Sequence, residues 1–249
     1  MQELLDYDKY FMTFGEEIKC FGMSVAMAAL AGWLLYKHWA GLILCVIIFP
    51  VYRRRYVRNQ VANRKSELLM QFKDGIQSIS VALLSGYSIE NAWIEAEKEL
   101  CGLYGENAYM TKEMHYMNSG IRMNQPVEEL LSVFAERSGC EDIAGFAEIF
   151  RFAKRSGGNF AKILQNTARR ISEKREVEQE IETLLSGKKM EQRIMNVVPV
   201  GLLAYLNLTS KEFLAPLYGN LFGVCIMTGA FFAYLGAFLL ACKMVEIDV

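Results

Sequence analysis

The stretch that decides the fold is WAGLILCVIIFPVYRRRYVRNQVANRK, residues 39–65. Trp39–Tyr52 carries no charge, and then the chain turns abruptly into Arg53, Arg54, Arg55, Arg58, Arg64 and Lys65 with no acid among them. An apolar run closed by arginines reads as a membrane segment stopped by positive charge on the cytoplasmic side. The alternative, a nucleic-acid patch, finds no support in the overall balance of 27 basic and 28 acidic residues, which gives no global basic field.

Outward from this junction the chain is a mosaic. Residues 53–193 hold 22 Lys and Arg with 20 Asp and Glu, while the other 108 residues hold only 5 and 8. Besides Trp39–Tyr52, three stretches are apolar: Phe21–Tyr36, Ile194–Leu208 and Leu221–Cys242. The last has 22 residues without a charge, roughly 33 Å of helix at about 1.5 Å per residue, enough for a hydrocarbon core of about 30 Å. Only Lys37-His38 separates the first two, so they read as a helical hairpin, either spanning or as a re-entrant or interfacial pair. Lys188, Lys189 and Arg193 precede the third stretch. Four transmembrane helices are therefore expected, with 53–193 and both termini cytoplasmic: a hairpin over 20–52, a third helix over 194–210 and a fourth over 219–243. Residues 1–19 form an acidic leader (Glu3, Asp6, Asp8, Glu16, Glu17) unlike the basic start of a cleaved signal peptide.

Small residues recur every four positions as Ser24, Ala28 and Gly32 on the first stretch, and as Gly229, Ala233, Ala237 and Ala241 on the last. That spacing lets helix backbones approach closely in lipid. It also arises by composition alone in alanine-rich helices.

The charged block reads as helix throughout. Leu69, Phe72, Ile76, Ile79 and Leu83 step along one face and stop near Ser85-Gly86. Ser88 is placed to cap a second helix with Ile89, Ala92, Trp93, Ala96 and Leu100. A third carries Met110, Met114, Met117 and Ile121. Pro126 opens a fourth, where a missing N–H costs least, with Val127, Leu130, Leu131 and Phe134. A fifth has Ile143, Phe146, Ile149, Phe150 and Ala153. Asn159 is placed to cap a sixth, with Phe160, Ile163, Leu164, Thr167 and Ile171, which runs on as a charged rod toward Lys188. The fold class is all-α: an antiparallel six-helix bundle with a stalk, beside the transmembrane helices.

Signals for chemistry are missing. No phosphate-binding loop, HExxH or G-x-S-x-G occurs. The six cysteines show neither metal-ligand nor disulfide spacing, and the two histidines, His38 and His115, lie far apart in the chain. Gly157-Gly158 before Asn159 offers an anion site at a helix start, but a glycine pair between two helices serves equally as a C-cap joined to an N-cap. No enzyme activity, cofactor or metal is expected.

The order of parts carries a resemblance. A hairpin, an arginine run, a helical block, a charged rod, a proline-bearing span and a Gly/Ala-rich span follow one another. Within them stand Leu83-Leu84-Ser85-Gly86-Tyr87-Ser88-Ile89-Glu90-Asn91-Ala92, Pro126-Val127-Glu128-Glu129-Leu130-Leu131, Arg137-Ser138-Gly139, Ser156-Gly157-Gly158-Asn159-Phe160-Ala161-Lys162-Ile163-Leu164, Arg169-Arg170, Val198-Pro199, Pro216-Leu217-Tyr218 and Ile247-Asp248-Val249. The set resembles the F-domain family of type II secretion and type IV pilus platform proteins, nearest its tight-adherence (Tad/Flp) branch of TadB-like and TadC-like members. The resemblance implies a non-enzymatic platform in the bacterial inner membrane, with a hexameric assembly ATPase, pilin subunits, a paralogous platform protein and membrane lipid as partners, and with homo- or hetero-oligomers. Arg151, Lys154, Arg155 and Lys162, around the turn between the fifth and sixth helices, are the candidate ATPase contact. A transporter or channel subunit is the alternative, but the apolar stretches lack the ionisable groups a translocation path needs.

Overall fold

The structure is a computed structural model. It describes residues 5–35, 44–156, 160–209 and 221–245; within these, the side chains at 31, 33–35, 44–48, 155–156, 221, 224, 239 and 242–245 fall outside the description. The described residues form eight helices and no strand: α1 (Phe14–Leu35), α2 (Leu44–Leu84), α3 (Ile89–Tyr104), α4 (Tyr109–Arg122), α5 (Val127–Ser138), α6 (Glu141–Ser156), α7 (Phe160–Thr209) and α8 (Leu221–Val245). The all-α expectation holds. The chain divides into two compact units, one of Met1–Phe11 and Val57–Glu176, the other of Met12–Tyr56 and Val177–Val249.

The first unit is built from six helical segments, as the periodicity predicts: the later part of α2, then α3 to α6, then the start of α7. Its core is one continuous cluster. Phe72 of α2 packs edge-on to Phe146 of α6 with ring centroids 5.2 Å apart and tilts against Phe134 of α5 at 6.0 Å. Phe150 extends the aromatic chain to Trp93 of α3 and Phe160 of α7. Every methionine on the predicted face of α4 is buried, where flexible thioethers fill irregular gaps. One face assignment is corrected. Ile143, Phe146, Phe150 and Ala153 are buried, but Ile149 is 41 % exposed. The 3-4-3 stepping of the buried four leaves position 149 beside the stripe rather than on it.

The helix ends follow local chemistry. Ser88 caps α3, its side chain accepting from the Asn91 N–H at 3.3 Å. Gly86, at φ +91°, closes α2, and the Tyr87 N–H returns to the Ala82 carbonyl. Pro126 is the N-cap of α5 rather than its first helical residue, and its carbonyl accepts from Glu129 and Leu130. Gly139 ends α5 in the left-handed region. Ala108 offers α4 no side-chain cap; instead the Gln71 amide oxygen on α2 accepts the Met110 N–H at 2.9 Å. The proposed Asn159 cap and the Gly157-Gly158 pair lie outside the described residues.

In the second unit α1 pairs with the first part of α2; the turn expected between them, Lys37-His38, lies outside the described residues. Phe21 meets Phe49 edge-on at 5.7 Å, the Arg53 guanidinium reaches Glu17 at 3.5 Å, and the Tyr56 hydroxyl donates to Glu16 at 3.4 Å. Partners that rise on one helix as they fall on the other make the pair antiparallel. Helix α1 starts at Phe14, earlier than the apolar run. The Thr13 N–H donates to the Glu16 carboxylate at 2.8 Å, half of a capping box, so Glu16 and Glu17, two of the acids predicted as leader, lie in the first turn of α1. The predicted rod and third span are one 50-residue helix, α7, with Pro199 inside it. The Tyr234 hydroxyl of α8 donates at 2.7 Å to the Asn196 carbonyl, next to the backbone disturbed by that proline.

Among the described residues, no helix is long and apolar enough to cross a membrane, so the four expected spans find no support there. Both α1 and α8 contain long uncharged runs. The sequence through them is uncharged from Phe21 to Leu35 and from Leu221 to Cys242.

Candidate functional site

The predicted contact residues lie at the end of α6 and the start of α7. Arg151 and Lys154 are on consecutive turns of α6. Lys154 donates to the Glu128 carboxylate of α5 at 2.6 Å, both partners about one-third exposed. Arg151 lines a shallow cleft of about 200 Å³ between α5 and α6, whose other polar walls are Glu128, Ser132, Glu136 and Glu148 over a floor of alanines. The two basic groups thus enter a surface that already carries three carboxylates, where the sequence suggested a purely basic turn. Acids and bases one helix apart compensate one another, so this face offers a mixed pattern that favours recognition over strong affinity. Lys162 is exposed on the first turns of α7, and the Arg155 side chain lies outside the described residues.

The small-residue stripes part company. Ser24, Ala28 and Gly32 are buried, and the Ser24 hydroxyl donates back to the Phe21 carbonyl at 2.8 Å. Gly229, Ala233 and Ala237 are exposed and Ala241 is half-buried. A Cβ added at Gly229 would meet nothing within 4 Å. Arg53, Arg54, Arg55 and Arg58, expected as topology anchors, lie on α2 on either side of the Tyr56–Val57 division between the units, all four exposed.

Sequence reasoning missed a polar cluster in the first unit. Glu113 of α4 is 4 % exposed and meets Arg137 of α5 through two hydrogen bonds, 2.9 and 2.5 Å. The Tyr7 hydroxyl donates to the same carboxylate at 3.0 Å. Burial first, and the neighbouring carboxylate second, push the Tyr7 hydroxyl pKa well above the ordinary tyrosine value. The only sequence signal was an arginine ending a helix beside Gly139, which equally reads as a C-terminal charge suited to the helix dipole. Among the described residues no group of His, Cys, Asp and Glu is arranged to hold a metal ion.

The chain matches no family model, no curated protein and no solved structure.

Proposed function

We propose that this chain is an integral membrane platform protein of a type IV (Tad/Flp) pilus or a type II secretion-like machine. In this reading the first unit receives a hexameric cytoplasmic ATPase, and the helices of the second unit gather pilin subunits in the bilayer and pair with a paralogous platform protein. The observation that carries the reading is the contrast between the units. The first closes an aromatic core. The second leaves Phe21 and Met27 on α1, Met195 and Leu208 on α7, and Phe222 and Phe232 on α8 more than half exposed. Apolar faces of that extent are costly in water and inexpensive in lipid. The exposed arginines at 53, 54, 55 and 58, on both sides of the Tyr56–Val57 division of α2, suit cytoplasmic anchors. The ordered motifs from Leu83 to Arg170 supply the family likeness.

The test is a pair of measurements on the intact chain. A reporter active only in the cytoplasm, inserted near residue 120, is expected to be active, and gentle detergent extraction of membranes is expected to bring down an assembly ATPase and pilins. A chain recovered entirely from the soluble fraction, or a reporter exported from the cytoplasm, overturns the reading.

A further inference from the structure

Residues 5–11 lie along the first unit and end two residues before α1 begins. Tyr7 is the anchor: it is 1 % exposed, its ring meets Tyr109 of α4 edge-on at 6.0 Å, and its hydroxyl reaches Glu113. Backbone bonds flank it. The Tyr7 N–H donates to the Arg137 carbonyl at 3.1 Å, and the Arg137 guanidinium donates to the Leu5 carbonyl at 3.2 Å. Farther along, the Lys65 ammonium joins Asp8 to the Gly139 carbonyl. The Arg64 guanidinium donates to the Lys9 carbonyl at 3.4 Å and lies 4.9 Å from the centre of the Tyr10 ring.

Two arginines, one glutamate, one lysine and one tyrosine ring, from α2, α4 and α5, thus form a slot that holds a short segment. Around its single buried anchor the segment is open to solvent. Leu5 and the Asp8 side chain are 42 % and 56 % exposed, and Phe11 is 87 % exposed. Apart from Tyr7, which reaches into the core cluster, the segment is held by polar contacts at the surface, and such segments open locally more readily than core helices.

We propose that residues 5–11 are a releasable latch. Closed, they fix the chain just before α1 to α4 and α5 through Tyr7. Open, they leave residues 5–11 free of α4 and α5 while the six-helix core persists. The latch is independent of whether the chain serves a pilus, so it stands or falls separately from that role.

Hydrogen exchange read by mass spectrometry on the full chain in detergent micelles tests it, together with tryptic cleavage after Lys9. In the unaltered protein, peptides covering 5–11 are expected to exchange at least tenfold more slowly than an unfolded segment. Tyr7→Ala is expected to erase that protection and speed cleavage after Lys9 about tenfold, with α3 to α6 unchanged. Lys65→Gln, at the exposed end of the slot, gives a smaller change of the same kind. Unprotected residues 5–11 in the unaltered protein overturn the latch. So does protection that survives Tyr7→Ala. Loss of protection across α3 to α6 in both variants makes the segment a fixed part of the core and overturns the latch equally.

Discussion

Glu113 and Arg137 face one another across α4 and α5 with side chains only 5 % and 15 % exposed, joined by a two-pronged ion pair. An ion pair that far from water is weak evidence of net stabilisation, but removing one partner strands the other. Arg137→Ala or Glu113→Ala is therefore expected to cost about 3–5 kcal/mol, measured by thermal unfolding in detergent. Exchanging both for apolar residues of similar volume is expected to cost much less. The pair also gives an alkaline signature through Tyr7. A hydroxyl whose pKa is raised in the folded state contributes stability that is complete below the ordinary tyrosine value of about 10. That contribution fades as the pH climbs from there toward the folded value. Tyr7→Phe is expected to remove this alkaline fall, seen as a flatter stability profile above about pH 10.

Tyr104, at the end of α3, gives a second alkaline probe. Its hydroxyl donates to Asp74 of α2 at 2.5 Å. That hydrogen bond first, then burial, push its pKa up to about 12. The bond therefore stabilises the fold below about pH 10 and loses its effect as the pH rises through the raised value. Difference titration of tyrosinate absorbance against Tyr104→Phe is expected to place this group near the top of the set. Asp74→Asn is expected to bring it down toward the ordinary value. A Tyr104 that titrates with exposed tyrosines in the unaltered protein would remove the bond.

Two glycines with positive φ separate backbone strain from crowding. Gly86 lies at +91° with open space where a Cβ would stand. Gly139 lies at +56°, and a Cβ there would come within 2.5 Å of Asp8 and 2.7 Å of Lys65. Gly86→Ala is expected to cost about 1–2 kcal/mol from the left-handed backbone alone. Gly139→Ala bears a similar backbone cost, and in addition drives Asp8 and Lys65 apart and raises proteolysis within residues 5–11. Equal proteolysis in the two variants would count against the crowding.

The stepping of apolar residues made most of the first unit legible, because each amphipathic helix shows its buried face in the chain itself. Phe72, Ile76 and Ile79, or Met110, Met114 and Met117, needed no partner to be recognised. Ile149 was misplaced because two adjacent apolar residues leave the stripe ambiguous, and only packing against Trp93 and Phe160 settles it on Phe150. The Glu113 cluster was hidden for another reason. Tyr7 and Glu113 are 106 residues apart, and no periodicity links an acidic leader to the inner face of α4. The cap that Gln71 gives α4 is concealed in the same way. The basic residues at the end of α6 and the start of α7 could be counted in the chain, but Glu128, which pairs with Lys154, comes from α5.

The stripes of small residues call for opposite outcomes. Ala28 is fully buried and Ala233 exposed. Ala28→Leu overfills a packed position and is expected to cost about 1–3 kcal/mol, lowering the melting temperature of the isolated chain. Ala233→Leu is expected to leave that temperature unchanged and to weaken association between helices of different chains, read as the oligomer distribution in detergent, more than Leu235→Ala does. An oligomer distribution unaltered by Ala233→Leu would remove α8 from the association surface.

Lys154 and Glu128 decide whether the turn after α6 meets a partner or only steadies the bundle. Their ion pair is partly exposed, and pairs of that kind contribute about 0.2–1 kcal/mol. Lys154→Glu sets two carboxylates face to face, so it is expected to lower stability by about that amount and, with Arg155→Glu, to abolish the proposed capture of an assembly ATPase. Adding Glu128→Lys to Lys154→Glu rebuilds the pair in reverse and is expected to restore the melting temperature. If the partner reads the charge of Lys154 directly, ATPase capture in a pull-down stays lost in the swapped protein although the bundle is repaired. If Lys154 acts only by holding α6 to α5, the swap restores capture together with stability, and the contact belongs elsewhere on the first unit.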